Sequence, residues 1–328
     1  MRRAVHPGRS AAQRGVAIIS VLLLITLATL IVSGLFWREH VTVRSVENRL
    51  ALAQMRWIET AVLDWASVVL RVDRNTTGAV DHLGELWATP VADTVLDETV
   101  TGGARISDEG GKARLAGQMF DAQARMNLNN LVIDGLPSAV HREAFDRLLA
   151  TVGRPESLAG PLQMRLQQAY PPLVQGHRAP ASALPLLKLA DLRSVPGFDE
   201  ATIAALEPFV VFLPKRVRVG AGEVVTEGSK INVNTAPPEV LAAGIDEIDL
   251  QSARRFVEGV RQRTFFASLD VARSRFDGSP TLPANLLSVG SDFFLVRGMV
   301  RFGRVESQSE ALLYRGTGRV ELIWQHRY

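Results

Sequence analysis

The strongest feature of the chain is an uncharged apolar run from Val16 to Phe36, VAIISVLLLITLATLIVSGLF. An α-helix of this length is about 30 Å long, which matches the hydrocarbon core of a bilayer. Its internal hydrogen bonds also hide the backbone polar groups from lipid. The pattern therefore predicts a membrane-spanning helix over residues 16–36.

The helical pattern continues without a proline from Trp37 to about Val72. Apolar residues recur at steps of three and four, and most charged residues lie on the opposite face. The apolar stripe is Val46, Leu50, Ala53, Trp57, Ala61, Trp65 and Val68, and the charged face is Arg44, Glu47, Arg49, Arg56, Glu59 and Arg71. We predict one helix from Val16 to Val72 that packs this stripe on a soluble domain. Two helices with a bend near Gly34 are the alternative.

Turn-forming residues 73–78, DRNTTG, are expected to end the helix, and an acidic surface connection with a short helix or strand should follow up to about residue 110. The next stretch, from Gly111 to Leu131, mixes apolar and polar positions and predicts a strand and a turn. Its DAQAR sequence is a candidate hairpin, and its NLNN sequence suits a chain reversal because asparagine side chains bond to nearby backbone.

Residues 132 to about 290 show helical patterns broken by prolines. Two places, around Pro196 and Gly197 and around Gly244 and Ile245, resemble helix-hairpin-helix units. After Ser288 the pattern alternates, which predicts three strands at about 293–302, 304–315 and 319–327 joined by glycine turns. Such strands need a cover for their apolar face, and the second half of the long helix can supply it.

The fold class expected from these patterns is α+β, with a long N-terminal helix packed on an antiparallel sheet and a large all-α domain inserted between early and late strands. The predicted divisions are a leader (1–15), a membrane helix (16–36), the first part of the core (37–131), the inserted helical domain (132–290) and the final strands (291–328).

The leader carries Arg2, Arg3, Arg9 and Arg14 and no acid, which predicts a cytoplasmic N-terminus and an exported remainder. A cleaved secretory signal fits less well, because its apolar core is roughly 7–15 residues and a small-residue cleavage site follows it. Here Trp37, Arg38, Glu39 and His40 follow the apolar run. An uncleaved signal anchor remains an alternative.

Composition excludes several classes of site. The chain has 328 residues and no cysteine, which rules out disulfides and cysteine metal sites. Its formal charge of +3 falls to −1 without the four leader arginines, so the mature chain has no general affinity for nucleic acid. The six histidines lack metal spacing, and EGGKA at Glu109 to Ala113 lacks the other residues of a phosphate loop. We therefore predict that the protein is not an enzyme.

Three short motifs carry a resemblance to known families. Arg14 and Gly15 directly before Val16 resemble the processing site of type IV prepilins, whose peptidase cuts after the glycine. Asp121 to Leu131, with Asp121, Asn127, Leu128 and Asn129, resembles a segment of the general secretion pathway protein K family. That family is the large minor pseudopilins of type II secretion. Within that segment Gln123 and Arg125 depart from the family pattern. The most specific match is INVNTA, with Ile231, Asn232, Asn234 and Thr235.

The resemblance implies a pilin-like fold with helix-hairpin-helix or SAM-like units in the inserted domain. It also implies a single-pass inner-membrane protein with a periplasmic C-terminal domain, placed at the tip of a short pilus that supports protein export. The implied partners are the I-, J- and H-type minor pseudopilins, the G-type major pseudopilin and the prepilin peptidase. No cofactor is required, but Asp277, Gly278 and Asp292 could contribute to a calcium site, a feature known in the family.

One further detail favours the tip position. Most pilin-like subunits have glutamate at the fifth mature position, where it neutralises the terminal amine of a neighbour, but with Val16 first the fifth residue here is Ser20. A subunit without this carboxylate lacks one charge pair with a subunit above it, and an unpaired charge in lipid costs several kcal/mol.

Two other functions compete with this interpretation. A membrane-anchored DNA receptor of the competence type would bind phosphate at the hairpins, but Asp199 and Glu200 occupy one hairpin and Asp246, Glu247 and Asp249 the other. Arg254, Arg255, Arg261 and Arg263 are then expected to form a solvated face, and no nucleic acid is expected as a partner. An exported hydrolase has no residues to support it.

Overall fold

The computed structural model describes residues 12–96, 113–174, 177–220, 223–302, 305–316 and 318–328. The helices are α1 (Ala12–Thr76), α2 (Ala139–Thr151), α3 (Ala159–Ala169), α4 (Glu200–Leu206), α5 (Pro238–Gly244), α6 (Leu250–Arg255) and α7 (Leu269–Arg273). The strands are β1 (Val91–Leu96), β2 (Ala113–Asp121), β3 (Met126–Asn127), β4 (Val132–Ile133), β5 (Leu136–Pro137), β6 (Leu173–Val174), β7 (His177–Arg178), β8 (Val210–Val211), β9 (Arg216–Gly220), β10 (Glu223–Glu227), β11 (Ile231–Asn232), β12 (Leu287–Ser288), β13 (Phe293–Phe302), β14 (Val305–Arg315) and β15 (Val320–Arg327).

Helix α1 is one uninterrupted element of 65 residues, about 98 Å long. It includes the whole apolar run from Val16 to Phe36, whose side chains are exposed, and this part is long and apolar enough to cross a bilayer. The helix extends four residues beyond the predicted end at Val72. It stops before Gly78, which adopts a left-handed φ of 80° that few other residues tolerate.

The main sheet is antiparallel and has the order β1-β2-β13-β14-β15. Strand β13 lies in its centre, where Phe294 pairs with Asp121 on one side and with Leu313 on the other. The three predicted C-terminal strands are confirmed to within one residue at each end. The coarse fold is also confirmed, because a long N-terminal helix packs on an antiparallel sheet.

The face of α1 that packs on the sheet is not the predicted one. All seven residues of the predicted stripe are exposed, whereas Ala51, Met55, Ala66, Val69 and Leu70 are buried. Small residues on this face let the helix approach the strands, and its polar residues find partners there. Glu59, predicted to face solvent, is buried and accepts a hydrogen bond from the Ser307 hydroxyl at 2.7 Å and from the Arg327 guanidinium at 2.5 Å.

Helix α1 covers only part of the sheet. Most of its contacts with the sheet are with β13, β14 and β15, and Phe294, Val296 and Leu313 pack against its last buried turns. At the other edge of the sheet, Leu96 of β1 and Ala113 of β2 pack against Ala51 and Met55 of α1, and Trp87 packs with Met119 of β2.

The chain between β2 and β13 contains the largest apolar core, built from α2 to α7 and the segments that join them. It is not all-helical as predicted, because short strand pairs occur within it. Two of these pairs are parallel and join distant residues: Met126 with Val210, and Ile231 with Leu287. Each parallel pair brings together the two ends of a run of helices, so each run is closed by backbone hydrogen bonds.

Two local predictions before this region are wrong. The DAQAR sequence forms one turn of 3-10 helix, Ala122–Ala124, and not a hairpin, because the chain continues into β3 and pairs there with β8. The supposed surface connection after α1 contains Asp81, Glu85 and Trp87, all of them buried. Trp87 lies edge-on to Phe294, with ring centroids 5.1 Å apart, so this segment belongs to the core. The predicted acidic positions at 97, 98, 108 and 109 lie outside the described residues.

Candidate functional site

The predicted processing residues lie at the start of α1. Arg14 and Gly15 belong to its first turn, and Val16 begins the exposed apolar segment. The hydroxyl of Ser20 donates a hydrogen bond to the carbonyl oxygen of Val16 at 2.9 Å. Ser20 thus satisfies its own polar group within the helix and needs no partner from another chain, unlike a carboxylate at that position.

An exposed apolar surface continues along α1 above the membrane segment. We define the outer stripe as the seven residues of the sequence pattern, Val46, Leu50, Ala53, Trp57, Ala61, Trp65 and Val68. Trp57 is 77% exposed, which is unusual for a large aromatic side chain. Contiguous exposed apolar surface of this kind marks an interaction site.

The motif residue Asp121 lies at the end of β2 and joins the sheet to the helical region. Its Oδ2 accepts hydrogen bonds from the hydroxyls of Thr235 and Ser291, both at 2.6 Å, and from Nδ2 of Asn232 at 3.0 Å. Its Oδ1 accepts the backbone N–H of Gln123 at 2.7 Å. Asp121 is thus brought together with Asn232 and Thr235, although more than 100 residues separate it from both in the chain.

The other motif asparagines hold the two parallel strand pairs. Oδ1 of Asn127 accepts the N–H groups of Asn129 and Leu213, and Nδ2 of Asn129 donates to the Leu213 carbonyl. Asn234 makes the same kind of exchange with the backbone of Phe266. Each asparagine side chain therefore bonds to backbone groups that a neighbouring strand would pair with in a longer sheet. Leu128 and Ile231 are buried beside them.

Sequence reasoning missed a charged cluster next to Asp121. The guanidinium of Arg315, at the end of β14, donates to Asp73 on α1 at 2.7 Å, to Asp81 at 2.5 and 2.6 Å, and to the Ser291 carbonyl at 2.7 Å. Glu85 completes a group of three buried carboxylates. We call Asp73, Asp81, Glu85, Asp121, Ser291 and Arg315 the charged junction. The sequence contained one sign of this cluster: Asp73 lies one turn after Val69, on the face of α1 that is buried.

The charged junction holds more carboxylates than cations, and this changes their ionisation. Burial raises the pKa of Asp73 to about 6, and the carboxylate of Glu85 acts in the same direction while Arg315 opposes it. Burial likewise raises the pKa of Asp121 to about 6 and raises that of Asp81. The folded protein therefore binds protons in mildly acidic solution more readily than the unfolded chain does.

We expect Asp73 and Asp121 to stabilise the folded protein when the pH is lowered from 7.5 to 5, whereas buried His141, whose pKa burial lowers to about 4, opposes them over the same range. Asp73 and Asp121 have an ordinary pKa of 3.8 and a folded pKa of about 6, so their stabilising contribution is full below 3.8 and is lost as the pH rises through 6. The contribution of these two carboxyls should be on the order of 1–3 kcal/mol, and the difference between the pH profiles of the wild-type protein and Asp73→Asn isolates the share of Asp73. It can be measured by urea unfolding of the full chain in non-ionic detergent. Asp73→Asn should flatten the pH profile, and an unchanged profile in that variant would contradict the assignment.

The residues named for calcium do not form a site with the charged junction. The exposed carboxylate of Asp277 pairs with Arg255 at 3.3 Å, and the carbonyl of Asp292 accepts the N–H of Arg315 at 2.7 Å. Within the described residues the three-carboxylate group is Asp73, Asp81 and Glu85, and there the Arg315 guanidinium already supplies a positive charge. This group does not fit a calcium ion, and calcium binding at Asp277, Gly278 and Asp292 stays a prediction.

Each of the two hairpins carries a carboxylate at the helix terminus where a DNA phosphate would bind. Oδ1 of Asp199 accepts the N–H of Thr202 at the start of α4, and Oδ1 of Asp249 accepts that of Ser252 at the start of α6. These hydrogen bonds lower the pKa of both carboxyls and keep them negative. Of the arginines predicted to form a solvated face, Arg254 and Arg255 are exposed and pair with Glu239 and Asp277, and Arg263 is exposed. The prediction is wrong for Arg261, which is half-buried because it donates to the carbonyl of Ala236.

Comparison with known proteins connects these features to one family. The family model described as "Type II secretion system (T2SS), protein K" matches residues 231–290, and a second model of the same description matches residues 124–215. The two matched ranges begin and end near the two parallel strand pairs. The range from 231 contains the INVNTA motif, and the range from 124 contains the NLNN motif.

Curated relatives match almost the whole chain. The type II secretion system protein K of Pseudomonas aeruginosa is 32% identical and the alignment covers 95% of this chain and 92% of the relative. The proteins of the same name from Klebsiella pneumoniae and Pectobacterium carotovorum are 26% and 24% identical, each over 96% of both chains.

A solved structure has the same fold. It is described as the GspK-GspI-GspJ complex of the type II secretion system of enterotoxigenic Escherichia coli, and the matched chain gives a TM-score of 0.60 at 18% identity. The match covers 88% of this chain and 99% of that one. The membrane helix, the antiparallel sheet and a relative that is 32% identical along nearly the full length agree. The chain belongs to the type II secretion system protein K family and is a minor pseudopilin of that system.

Proposed function

We propose that this minor pseudopilin occupies the tip of a short periplasmic pilus and so supports export of folded proteins across the outer membrane. Before assembly it is held in the bacterial inner membrane by residues 16–36, with its N-terminus in the cytoplasm and its sheet and helical region in the periplasm. The observation that carries the proposal is α1 itself, whose lower part is exposed along its whole length and has a continuous apolar surface. Lipid covers this surface before assembly, and in the fibre the helices of neighbouring subunits take its place.

The helical region between β2 and β13 supports a terminal position. It makes up about half of the chain and is fixed to the sheet by buried hydrogen bonds of Asp121, Asn232 and Ser291. A rigid addition of this size, consisting of helix-hairpin-helix or SAM-like units on a pilin-like core, would obstruct a subunit stacked above it. Ser20 adds a second reason, because this chain lacks the carboxylate that would pair with the terminal amine of such a subunit.

The partners follow from the same argument. The related structure is a complex of K-type, I-type and J-type proteins, and we extend that assembly to this chain. We further propose contacts with the H-type minor pseudopilin and the G-type major pseudopilin lower in the fibre. The prepilin peptidase is a transient partner that acts at Arg14, Gly15 and Val16, and no cofactor is required for any of these steps.

Processing after Gly15 gives the direct test. We expect the mature chain isolated from membranes to begin at Val16, as determined by N-terminal sequencing and intact mass. The variant Gly15→Val should keep the leader, because the peptidase needs the small residue before the cut, and it should lose both fibre assembly and export of the system's substrates. Ala17→Val is the matched control, since it adds the same volume next to the cut and keeps the glycine.

Two results would contradict the proposal. One is a mature wild-type chain that begins beyond residue 36 and is freely soluble, because the membrane helix would then be absent from the working protein. The other is Gly15→Val that still matures to Val16 and assembles normally. Salt-sensitive DNA binding by the full chain would instead support the competence-type alternative.

A further inference from the structure

Two residues in the segment that contains NLNN depart from the family pattern, and only one of them has a structural role inside the chain. The side chain of Gln123 forms three hydrogen bonds with backbone groups of Lys230, Asp292 and Phe293, at 2.7 to 3.2 Å. Arg125 is half-buried, but its guanidinium forms neither a hydrogen bond nor an ion pair with any residue that the structure describes. Arg125 is therefore a charged group without a partner, close to the joint between the sheet and the helical region.

The surroundings of Arg125 do not stabilise its charge. The other half-buried arginines described in the helical region all donate to an acceptor, and they are Arg142, Arg147, Arg154, Arg165 and Arg261. Burial lowers the pKa of Arg125 and the nearby guanidinium of Arg297 lowers it further, whereas Glu310 and Glu207 raise it by less. Because an arginine stays charged in a protein, this environment costs free energy that no contact among the described residues offsets.

Arg125 lies at the rim of the contact between the helical region and the sheet. The row of the sheet that packs on the helical region is apolar and consists of Phe120, Leu295, Leu312 and Trp324. The next row on the same face is polar and consists of Gln118, Arg297, Glu310 and His326, one from each of β2, β13, β14 and β15. Since Arg125 is repelled by Arg297 and attracted by Glu310, it lies beside this polar row.

Two guanidinium groups at the rim therefore have unused donors. Arg297 donates from Nε to Glu310 at 2.7 Å and packs over the Phe120 ring, 5.4 Å from its centroid, but its terminal N–H groups meet no acceptor within the described ranges. A guanidinium binds the two oxygens of a carboxylate through parallel, charge-assisted hydrogen bonds. A carboxylate that enters from solvent can thus bond to Arg125 and offset its repulsion from Arg297.

The backbone around Arg125 is already in place for such a ligand. The residue lies between Gln123, whose side chain is fixed on the backbone of β13, and Met126, whose N–H donates to the Phe209 carbonyl at 2.8 Å. Binding at Arg125 therefore requires ordering of its side chain only, which lowers the entropic cost of binding.

The residue types at the rim indicate that the carboxylate belongs to a protein. Phe120 and Trp324 are half-buried beside the polar row, and the rings of Trp324 and His326 lie 4.8 Å apart between centroids. Arginine and aromatic side chains are the residues that contribute most at protein interfaces. A small inorganic anion would leave these rings uncovered, whereas an acidic side chain brings a neighbouring part of its own chain over them.

We propose that Arg125 and Arg297 bind a carboxylate of an acidic segment of a protein partner, at the rim between the sheet and the helical region. The site lies on the face of the sheet away from α1, because Phe294 and Val296, which pack on α1, alternate with Leu295 and Arg297 along β13. It is therefore separate from the helix surface, and it does not depend on the position in the fibre.

Binding of a labelled acidic peptide tests the site directly. The full-length chain in non-ionic detergent is titrated into fluorescein-labelled hexaglutamate, and the dissociation constant is measured by fluorescence anisotropy, with hexaglutamine as the uncharged control peptide. Arg125→Met should weaken binding of hexaglutamate about ten-fold, because it removes one charge-assisted contact, and Arg297→Met should have a similar effect. Arg263→Met is the matched control, since it removes an exposed arginine elsewhere in the helical region and should leave binding unchanged.

Stability distinguishes a binding residue from a structural one. Arg125→Met keeps most of the apolar stem and removes a half-buried charge that has no partner, so the urea midpoint of the variant should equal or exceed that of the wild-type chain. An arginine that holds the fold together would give the opposite result. Amide hydrogen exchange of β3 and β11 follows this midpoint in the helical region, next to the substituted residue.

Three results would overturn the inference. The first is equal binding of hexaglutamate by the wild-type chain and Arg125→Met, or no binding by either. The second is displacement of the peptide by inorganic phosphate but not by sodium chloride of the same ionic strength, which would identify a site for small anions. The third is a lower urea midpoint for Arg125→Met, which would assign the residue a structural role.

Discussion

Replacing Arg315 by methionine is expected to lower the free energy of unfolding by about 3–5 kcal/mol, because it leaves the buried carboxylates of the charged junction without their cation. Arg315 is 2% exposed and pairs with Asp73 and Asp81, so no water can take its place without opening the core. Methionine fills much of the same volume, which limits the effect of a cavity. Urea unfolding of the full chain in detergent, followed by tryptophan fluorescence, measures the loss.

Two controls make this result specific to the buried pair. Arg297→Met removes an arginine from the same sheet, but Arg297 pairs with Glu310 at the surface and should cost less than about 1 kcal/mol. Adding Asp81→Asn to Arg315→Met removes one unpaired charge and should recover part of the loss. The single variant should also regain stability between pH 7.5 and 5, because the remaining carboxyls can then bind protons. A loss below 1 kcal/mol for Arg315→Met would show that the carboxyls are neutral in the wild-type protein.

The parts of the fold that were predictable are those with a single strong pattern. The membrane helix follows from 21 uncharged residues, and the last strands follow from alternation between glycine turns. Both patterns depend on neighbours in the sequence, and they need no information about distant contacts. The ends of these elements were accordingly placed to within a few residues.

The orientation of α1 could not be predicted because periodicity gives a stripe and not its partner. The predicted stripe, with Trp57 and Trp65, is more apolar than the face that packs, which contains Ala51, Ala66 and the charged Glu59 and Asp73. These two acids are buried because Arg327 and Arg315 come to them from strands more than 200 residues away. Single-chain reasoning also assumes that the most apolar face is internal, and in this chain that face is exposed.

The role of the motif residues could be predicted only in part. Resemblance singled out Asp121, Asn232 and Thr235, but nothing in their spacing shows that they meet. Ser291 and Arg315, which complete the network, were not found because they lie in no recognised motif and their partners are far away in sequence. Gly290 is another such residue, since a Cβ atom there would lie 1.8 Å from the carbonyl oxygen of Ala79. Close contacts of this kind become visible only in three dimensions.

Asp121→Ala is expected to cost about 3 kcal/mol or more and to loosen the attachment of the helical region to the sheet. The substitution removes the acceptor for Asn232, Thr235, Ser291 and Gln123 in a site that water does not reach. Asp249→Ala is the matched control, because it removes an exposed acid that accepts one N–H and should cost about 1 kcal/mol.

The effect of Asp121→Ala on the sheet and on the helical region must be measured with different probes. All five tryptophans, at 37, 57, 65, 87 and 324, lie outside the segment from β2 to β13, so fluorescence reports only the helix and sheet. Amide hydrogen exchange of β11 and of Ser291 reports the joint itself. In Asp121→Ala we expect these amides to exchange at least about ten times faster, whereas the amides of α2 should change little.

The comparison of the two probes decides what Asp121 does. If the joint exchanges faster while the fluorescence midpoint also falls, the helical region and the sheet form one cooperative unit that Asp121 holds together, because loss of the joint then destabilises both sides. If only the joint changes, the sheet is stable alone and the helical region is a separate unit fastened to it. Unchanged exchange at the joint would contradict the role assigned to Asp121, since four buried donors cannot lose their acceptor without a cost. The proposed tip position requires a rigid joint, because a helical region that swings freely could not block a fixed position above the fibre.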